Sequence, residues 1–300
     1  MNLNQLGRLF PIRIVRDCEF GGFAPLHYRR NRQLSVLCDK TYSRFLKSES
    51  IAGIITTTAL ADLIPQHLGL AIADDPLACL GEIHRYLATA TDFFGAPFQT
   101  EVSPSASVNS TASITPNNVH IGAGVVVEGN VTIHEGCSIG DGAIIRSGAV
   151  LGAAGFSFHN VGGKRIPAPR SGGVRVGKEV EIQSNSVICR STYGGDTEIG
   201  DFVKISSLVN VSHNVNIGRQ CRLSSSVCVM GGAQIGDEVW IGPNATISDH
   251  IRVGNGASIL LGAVVVTDVA AGETVSGNFA VPHRLLLMNH RKILKSGRTT

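Results

Sequence analysis

The sequence predicts a mainly β protein built on a parallel β-coil, because aliphatic residues recur at every sixth position over most of the chain. The longest unbroken run comprises Ile199, Ile205, Val211, Ile217, Leu223, Val229, Ile235, Ile241, Ile247, Val253, Ile259 and Val265. A small or aliphatic residue usually stands two positions before each of them, and a glycine often follows. Since side chains alternate along a strand, both periodic positions point inward, and glycine suits the sharp corner between strands. Three such hexapeptides make one coil of about 18 residues.

The six-residue period divides the chain into three predicted parts. Residues 1–99 lack the period and are predicted to form a small α/β domain, in which Asp75 and Pro76 begin a helix. Residues 100–272 form the β-coil, and residues 152–173 leave its register as a loop rich in glycine and proline. Such a loop often carries function, although a decorative insertion is the alternative.

Residues 273–300 form the third part, a basic tail that is expected to include a short helix from about Pro282. No acidic residue follows Glu273, whereas the basic residues are Arg284, Arg291, Lys292, Lys295 and Arg298. This tail either binds phosphates or an acidic protein, or only keeps the C-terminus soluble.

Composition excludes several classes of protein. The net charge of +3 gives no overall field that would attract nucleic acid. The longest apolar run, residues 259–266, contains Gly262 and is far shorter than the ~20 residues of a membrane helix. The seven cysteines are odd in number and form no CxxC pair, which indicates free thiols in a reducing compartment. We therefore expect a cytoplasmic protein without a membrane span.

Histidine has no structural role in a β-coil, so the coil histidines are candidates for function, although most exposed histidines on such a scaffold are inert. His213 and His250 lie 37 residues apart, which is two coils plus one residue, and are expected on one face. Gly231 follows His213 by 18 residues and is expected to stack one coil away from it. A histidine base and a backbone N–H that donates to an oxyanion suit acyl transfer.

Three segments carry a resemblance to a known family: VNVSHNVNIG around His213, MGG around Gly231, and SDHIRVG around His250. They are similar to the UDP-3-O-acylglucosamine N-acyltransferases of lipid A assembly, which are hexapeptide-repeat acyltransferases. The match keeps register from about Asp196 to Gly254 and extends more loosely into the loop and the N-terminal domain. The resemblance implies a left-handed β-helix and a homotrimer with active sites between adjacent coils.

The resemblance also implies residue roles in N-acylation of a nucleotide-linked amino sugar, for lipid A or a surface polysaccharide. His213 would be the general base, the Gly231 N–H would stabilise the oxyanion, and His250 would assist near the nucleotide-sugar or the acyl carrier. The segment LSVLCDKTYSRFL resembles the family's uridine-binding segment, so Tyr42 would contact the uracil.

Further substrate-binding roles fall on Asp39, at the position of the family's uracil-binding asparagine, and on Asn214, beside the base. The donor would be a thioester of acyl carrier protein or of coenzyme A, with no permanently bound cofactor and no metal.

The chain departs from the family pattern at three positions near the expected base and uracil. Val36 replaces a stacking phenylalanine, Asp39 replaces the asparagine, and Ser206 replaces an acidic residue seven positions before the base. The end of the coil looks more like the coenzyme A-dependent sugar acetyltransferases, with Phe279 in place of a proline. The acyl chain, the carrier, the sugar and the nucleobase therefore stay open.

Two other functions are compatible with the same fold. A metal site like that of the γ-carbonic anhydrases needs three converging histidines, and only two are well placed here. A non-catalytic β-helix that serves as a scaffold or binding module is the other alternative.

Overall fold

A computed structural model of the chain describes residues 1–28, 30–277, 282–285 and 287–288. The N-terminal elements are α1 (Leu3–Gly7), β1 (Arg13–Arg16), β2 (Gly22–Phe23), β3 (Gln33–Leu37), β4 (Ile51–Thr56), β5 (Gly69–Ile72) and α2 (Pro76–Thr89), with 3₁₀ helices at Lys40–Lys47 and Thr58–Leu63. The strands form one sheet in the order β1-β5-β4-β3-β2, in which only β1 pairs in antiparallel fashion.

Helix α2 begins where the sequence predicts. The Asp75 side chain accepts a hydrogen bond from the Ala78 N–H at 3.0 Å, and Pro76 occupies the first turn, where its missing N–H costs no hydrogen bond. One face of the helix is buried in the domain core, and it includes Leu80, Ile83 and Leu87. Burial of this apolar face is what fixes the helix on the domain.

The β-coil begins at Glu101. Its first strands are β6 (Glu101–Val102), β7 (Ser107–Val108), β8 (Ser113–Ile114), β9 (Val119–Ile121), β10 (Val126–Val127), β11 (Thr132–Ile133), β12 (Cys137–Ile139), β13 (Ile144–Ile145) and β14 (Val150–Ala153). A hairpin of β15 (Phe158–Val161) and β16 (Lys164–Pro167) then leaves the coil. The predicted loop 152–173 is thus a two-stranded hairpin with two connecting arms.

The later strands continue the coil. They are β17 (Gly173–Val176), β18 (Glu181–Ile182), β19 (Val187–Cys189), β20 (Asp196–Ile199), β21 (Lys204–Ile205), β22 (Asn210–Val211), β23 (Asn216–Ile217), β24 (Arg222–Leu223), β25 (Cys228–Val229), β26 (Gln234–Ile235), β27 (Trp240–Ile241), β28 (Thr246–Ile247), β29 (Arg252–Val253), β30 (Ser258–Ile259), β31 (Val264–Val265) and β32 (Thr274–Val275). Strand β32 lies just beyond the predicted end at residue 272. Most of the predicted basic tail lies outside the described residues, and within it residues 283–285 and 287–288 are helical.

The coil strands of the described residues form three parallel sheets of nine, eight and eight strands. Partners in neighbouring coils are 18 residues apart wherever no loop intervenes, as with Val211 and Val229. Both inward positions of the repeat are buried, as Val227 and Val229 illustrate with no exposed surface. The predicted packing of aliphatic residues along the axis is confirmed, and it forms one continuous core.

The glycine that follows the aliphatic residue was predicted to supply the backbone freedom of the corner, but in the structure it allows close stacking of the coils instead. Gly200, Gly218 and Gly236 do not adopt a positive φ. A Cβ on Gly218 would lie 2.6 Å from the backbone of Gly236 in the next coil, so these glycines permit close stacking. The left-handed conformation falls two residues later, for example at Gln220 with φ 58°. Among the described residues, no helix is long and apolar enough to cross a membrane.

Two buried histidines join the domain to the hairpin. His84 of α2 is fully buried, and its Nδ1 lies 3.0 Å from His159 Nε2 of β15. Its Nε2 lies 2.8 Å from the Ser171 hydroxyl in the arm that returns to the coil. Burial is the main cause that lowers the pKa of His84 to about 3 and the pKa of His159 to about 4. Both rings are therefore neutral at pH 7.

This pair predicts a loss of stability in mild acid. In the unfolded chain both histidines take up protons near pH 6.5, whereas the folded chain resists protonation until about pH 4 and below. The free energy of unfolding is therefore expected to fall as the pH drops from 6.5 to 4, by about 1.4 kcal/mol per pH unit for each proton. Urea denaturation over this pH range measures the slope.

The control is His120→Gln, since His120 is exposed and bonds only to the exposed Glu101, at 3.3 Å. A double variant, His84→Gln with His159→Gln, should lose the part of the slope that these two protons contribute, whereas the control keeps it. His27 and His213, whose pKa values burial also lowers, account for slope that remains in both proteins. Equal slopes in both proteins would contradict the assignment of the acid sensitivity to this pair.

Candidate active site

His213 stands at a corner of the coil between β22 and β23, half-buried and outside the apolar core. Two glycines enclose its imidazole. A Cβ on Gly231, in the next coil, would lie 2.9 Å from His213 Cε1. A Cβ on Gly155, in the first arm of the hairpin, would lie 2.8 Å from His213 Cδ2. Any other residue at either position would push the ring away, so the glycines create the space that the imidazole occupies.

Asn214 fixes the tautomer of His213. The Asn214 Oδ1 accepts the Thr192 N–H at 3.2 Å, and its Nδ2 donates to the Ser191 hydroxyl. Since Thr192 N is a donor, the oxygen of the amide must face it, and the same oxygen lies 3.0 Å from His213 Nδ1. His213 Nδ1 therefore carries the hydrogen, and Nε2 keeps the free lone pair that a general base needs.

The expected role of Asn214 in substrate binding is corrected by this geometry. Asn214 is only 7% exposed, whereas other corner residues with the same left-handed backbone, such as Leu208 at 60%, face solvent. Both ends of the amide are occupied by protein partners. The contacts of Asn214 among the described residues thus orient the His213 ring, and they leave its amide facing protein partners.

The His213 imidazole is neutral at pH 7. Burial lowers its pKa, and the nearby Arg170 and His250 lower it further, while the hydrogen bond to Asn214 and the carboxylate of Asp249 act in the opposite sense. Ser206, which replaces the family's acidic residue, bonds instead to the Ser225 hydroxyl at 2.9 Å. The base is therefore oriented by a neutral amide.

The Gly231 N–H is a free donor beside the imidazole. At some equivalent corners the N–H donates to a side chain of the next coil at 2.8–3.0 Å, as at Lys178, Arg219 and Asp237, whereas at others, such as Leu261, it has no acceptor among the described residues. Asp249 stands in that place above Gly231, yet the Gly231 N–H meets no acceptor within the described part of the chain. An unpaired backbone N–H of this kind suits the stabilisation of a developing oxyanion.

His250 lies on the neighbouring column, as the spacing predicts, and its ring turns toward the N-terminal domain. The ring centroid lies 4.7 Å from that of His27 and 5.9 Å from that of Tyr28. The backbone N–H of His250 donates to the Gly231 carbonyl at 2.9 Å, which joins the corners of these two neighbouring coils. His27 and Tyr28 were not predicted from the sequence, since no period or motif marks them.

Tyr42 and Asp39 follow the carboxyl end of β3, while His27 and Tyr28 follow that of β2. Tyr42 is 46% exposed and stacks on Phe45 with centroids 6.3 Å apart. Asp39 caps the 3₁₀ helix, since one carboxylate oxygen accepts the N–H and the hydroxyl of Thr41 at 2.8 Å, which lowers the pKa of Asp39. Within the described residues neither side chain contacts His213, so the chain forms two separate groups of predicted site residues.

A cavity of about 600 Å³ lies between residues 88–98 and the coil. Its wall includes Phe94, Phe98, Arg170 and Arg190, but none of the catalytic candidates. Among the described residues of the single chain, no three histidine, cysteine or acidic side chains surround one point.

Comparison with known proteins identifies the family. The family described as bacterial transferase hexapeptide (six repeats) matches residues 117–153. The UDP-3-O-acylglucosamine N-acyltransferase of Herminiimonas arsenicoxydans is 30% identical, and the match covers 83% of this chain and 79% of that protein. The enzyme of the same name from Delftia acidovorans is 31% identical, with coverage of 89% and 82%.

A solved structure agrees with these relatives. The UDP-N-acetylglucosamine acyltransferase of Francisella novicida is 25% identical, with a TM-score of 0.50 over 59% of this chain and 65% of that one. The predictions of a left-handed parallel β-helix and of an acyltransferase are thereby confirmed. The chain belongs to the UDP-3-O-acylglucosamine N-acyltransferase family.

Proposed function

We propose that this protein moves an acyl group from an acyl thioester to the amine of a nucleotide-linked amino sugar in lipid A assembly, with His213 as the general base. The observation that carries this proposal is the imidazole between Gly155 and Gly231, whose Nε2 is unprotonated and lies beside a free backbone N–H. The names of the relatives supply the class of acceptor.

In the proposed reaction His213 Nε2 and the Gly231 N–H act together in the first step, the addition of the amine. The sugar amine attacks the thioester carbonyl while His213 Nε2 takes a proton from the nitrogen. The carbonyl oxygen becomes an oxyanion and accepts a hydrogen bond from the Gly231 N–H. The tetrahedral intermediate then breaks its C–S bond, the amide forms, and the departing thiolate receives the proton that His213 holds.

The nucleotide is proposed to bind at the carboxyl edge of the N-terminal sheet, where parallel α/β sheets commonly bind ligands. Val36 is buried within β3, so stacking on the base falls to Tyr42. Asp39 would accept a hydrogen bond from the base through its second carboxylate oxygen, since the first is held by Thr41. His250, together with His27 and Tyr28, lies between this edge and the coil.

The donor is proposed to be a thioester of acyl carrier protein or of coenzyme A. The free thiols of all seven cysteines suit a reducing compartment, and we propose the cytoplasm, which cell fractionation tests. We also propose a homotrimer, because the isolated chain leaves apolar side chains exposed, among them Phe156 at 89%, Val264 at 71% and Leu208 at 60%.

Substitution of His213 by alanine is expected to lower kcat by at least about 100-fold, because the proton acceptor is lost. The assay offers a UDP-linked amino sugar with either acetyl-coenzyme A or a long-chain acyl carrier protein, and the better donor identifies the carrier.

In the parent protein kcat/KM should fall in acid with an apparent pKa below 6.5, since burial favours the neutral ring. His120→Ala is the control, and full activity of His213→Ala with the better donor would refute the mechanism.

Substitution of Tyr42 by alanine should weaken binding of the nucleotide-sugar about tenfold, because stacking on a base is worth roughly 1–3 kcal/mol. The KM for the nucleotide-sugar should therefore rise, with kcat little changed. Tyr42→Phe keeps the aromatic ring and should keep most of the affinity. Titration calorimetry with UDP-, dTDP- and GDP-sugars measures the preference. Equal affinity of Tyr42→Ala and the parent for every nucleotide would place the base elsewhere.

The trimer is expected to show a mass in solution three times that of the 31.6 kDa chain. Light scattering behind size exclusion at micromolar concentration measures it. A single-chain mass in an active preparation would rule out active sites that need two subunits.

A further inference from the structure

Arg30 crosses from the N-terminal domain to the coil. Its Nε donates to the Tyr193 carbonyl at 2.9 Å, and its Nη2 donates to the Gly194 carbonyl at 2.6 Å and to the Ser191 hydroxyl at 3.3 Å. No acidic side chain lies within salt-bridge distance of Arg30 in the described part of the chain. The cation therefore serves to hold one short stretch of backbone.

That stretch is a second excursion from the coil, residues 190–195, between β19 and β20. Gly194 and Gly195 both adopt φ 62°, which lets the segment turn back on itself. The Ser191 hydroxyl donates to the Gly194 carbonyl at 2.8 Å, so it can only accept from Arg30 and from Asn214 Nδ2. Within this excursion, every polar direction at Ser191 is assigned.

The excursion in turn holds Asn214, which holds the base. The Ser191 hydroxyl accepts a hydrogen bond from Asn214 Nδ2, and the Thr192 N–H donates to Asn214 Oδ1. The same Oδ1 accepts a hydrogen bond from His213 Nδ1. An unbroken series of hydrogen bonds thus runs from Arg30 through the excursion and Asn214 to His213. It connects positions that are more than 160 residues apart in the sequence, as in the bond from Arg30 to Tyr193.

We propose that Arg30 is a positioning residue which sets the tautomer of His213 through residues 190–195, so that docking of the N-terminal domain makes the base competent. This inference rests on the proposed function of His213. An amide has an oxygen and a nitrogen of nearly the same shape, so a half-turn of Asn214 would present N–H to His213 Nδ1. The hydrogen of the imidazole would then move to Nε2, which could no longer accept a proton.

A carboxylate partner would not need such a constraint, because both of its oxygens accept hydrogen bonds. Ser206 supplies no charge to the base, and it bonds to Ser225. The orientation of Asn214 must therefore come from its own neighbours. Without Arg30, the Tyr193 carbonyl loses its donor and the Gly194 carbonyl keeps only the Ser191 hydroxyl. The excursion is then held mainly by its bonds to residues 171–173, and we expect it to shift away from the position that orients the amide.

The test compares Arg30→Met with Arg32→Met in the full chain. Arg32 lies in the same segment but forms an exposed ion pair with Glu19 at 3.0 Å and does not touch the excursion. Nitrogen-15 NMR of histidine-labelled protein reports the tautomer of His213, with His213→Ala to assign the signal. Arg30→Met should show the Nε2–H tautomer and a kcat about 10- to 100-fold lower, with KM for the acyl donor unchanged. Arg32→Met should match the parent in both.

Ser191→Ala provides a second route, since it removes the shared hydroxyl and leaves the N-terminal domain intact. The Thr192 N–H still favours the parental orientation of the amide, so Ser191→Ala should give a mixture of the two His213 tautomers, whether or not Arg30→Met folds. A parental His213 spectrum in Ser191→Ala, or in a folded Arg30→Met, overturns the inference. The spectrum needs no activity assay, so this result is distinct from failure of the proposed function, which an active His213→Ala would reveal.

Discussion

Direct stacking of each coil on the next is the constraint on which the site depends. Parallel pairing at a fixed offset of 18 residues places corresponding corners in columns, about 4.8 Å apart. In the column of His213 the next corner is Gly231, and the one after it is Asp249. The imidazole can occupy its position only because Gly231 has no side chain, and the Gly231 N–H beside it has no acceptor among the described residues.

A periodic scaffold makes part of this site readable from the sequence. His213, Gly231 and His250 could be placed relative to one another because each coil has an integral number of residues, and the structure confirms their columns. The period also indicated the buried positions. It did not distinguish a glycine needed for close stacking, such as Gly218, from a residue with a left-handed backbone, such as Gln220, because both occur at the same corner.

The other residues around the site could not be predicted, because they belong to segments that lack the six-residue repeat. Gly155, His27, Tyr28 and Arg30 reach the coil through a loop and a separate domain, and no local pattern encodes such distant contacts. Asn214 was expected to bind substrate because it neighbours the base in sequence. Its side chain is instead bound by Ser191 and the Thr192 N–H, which belong to a segment that leaves the six-residue period.

The hydrogen bonds of Arg30 also bear on the order in which the molecule forms. Coil strands pair with neighbours only about 18 residues away, so winding can proceed through short-range contacts, as in other solenoids. If Arg30 positions His213 as proposed, the imidazole acquires its orientation only when a segment near the start of the chain meets one in its second half. That proposal implies that a completely wound coil can exist as a catalytically immature species, which matures when the N-terminal domain docks on it.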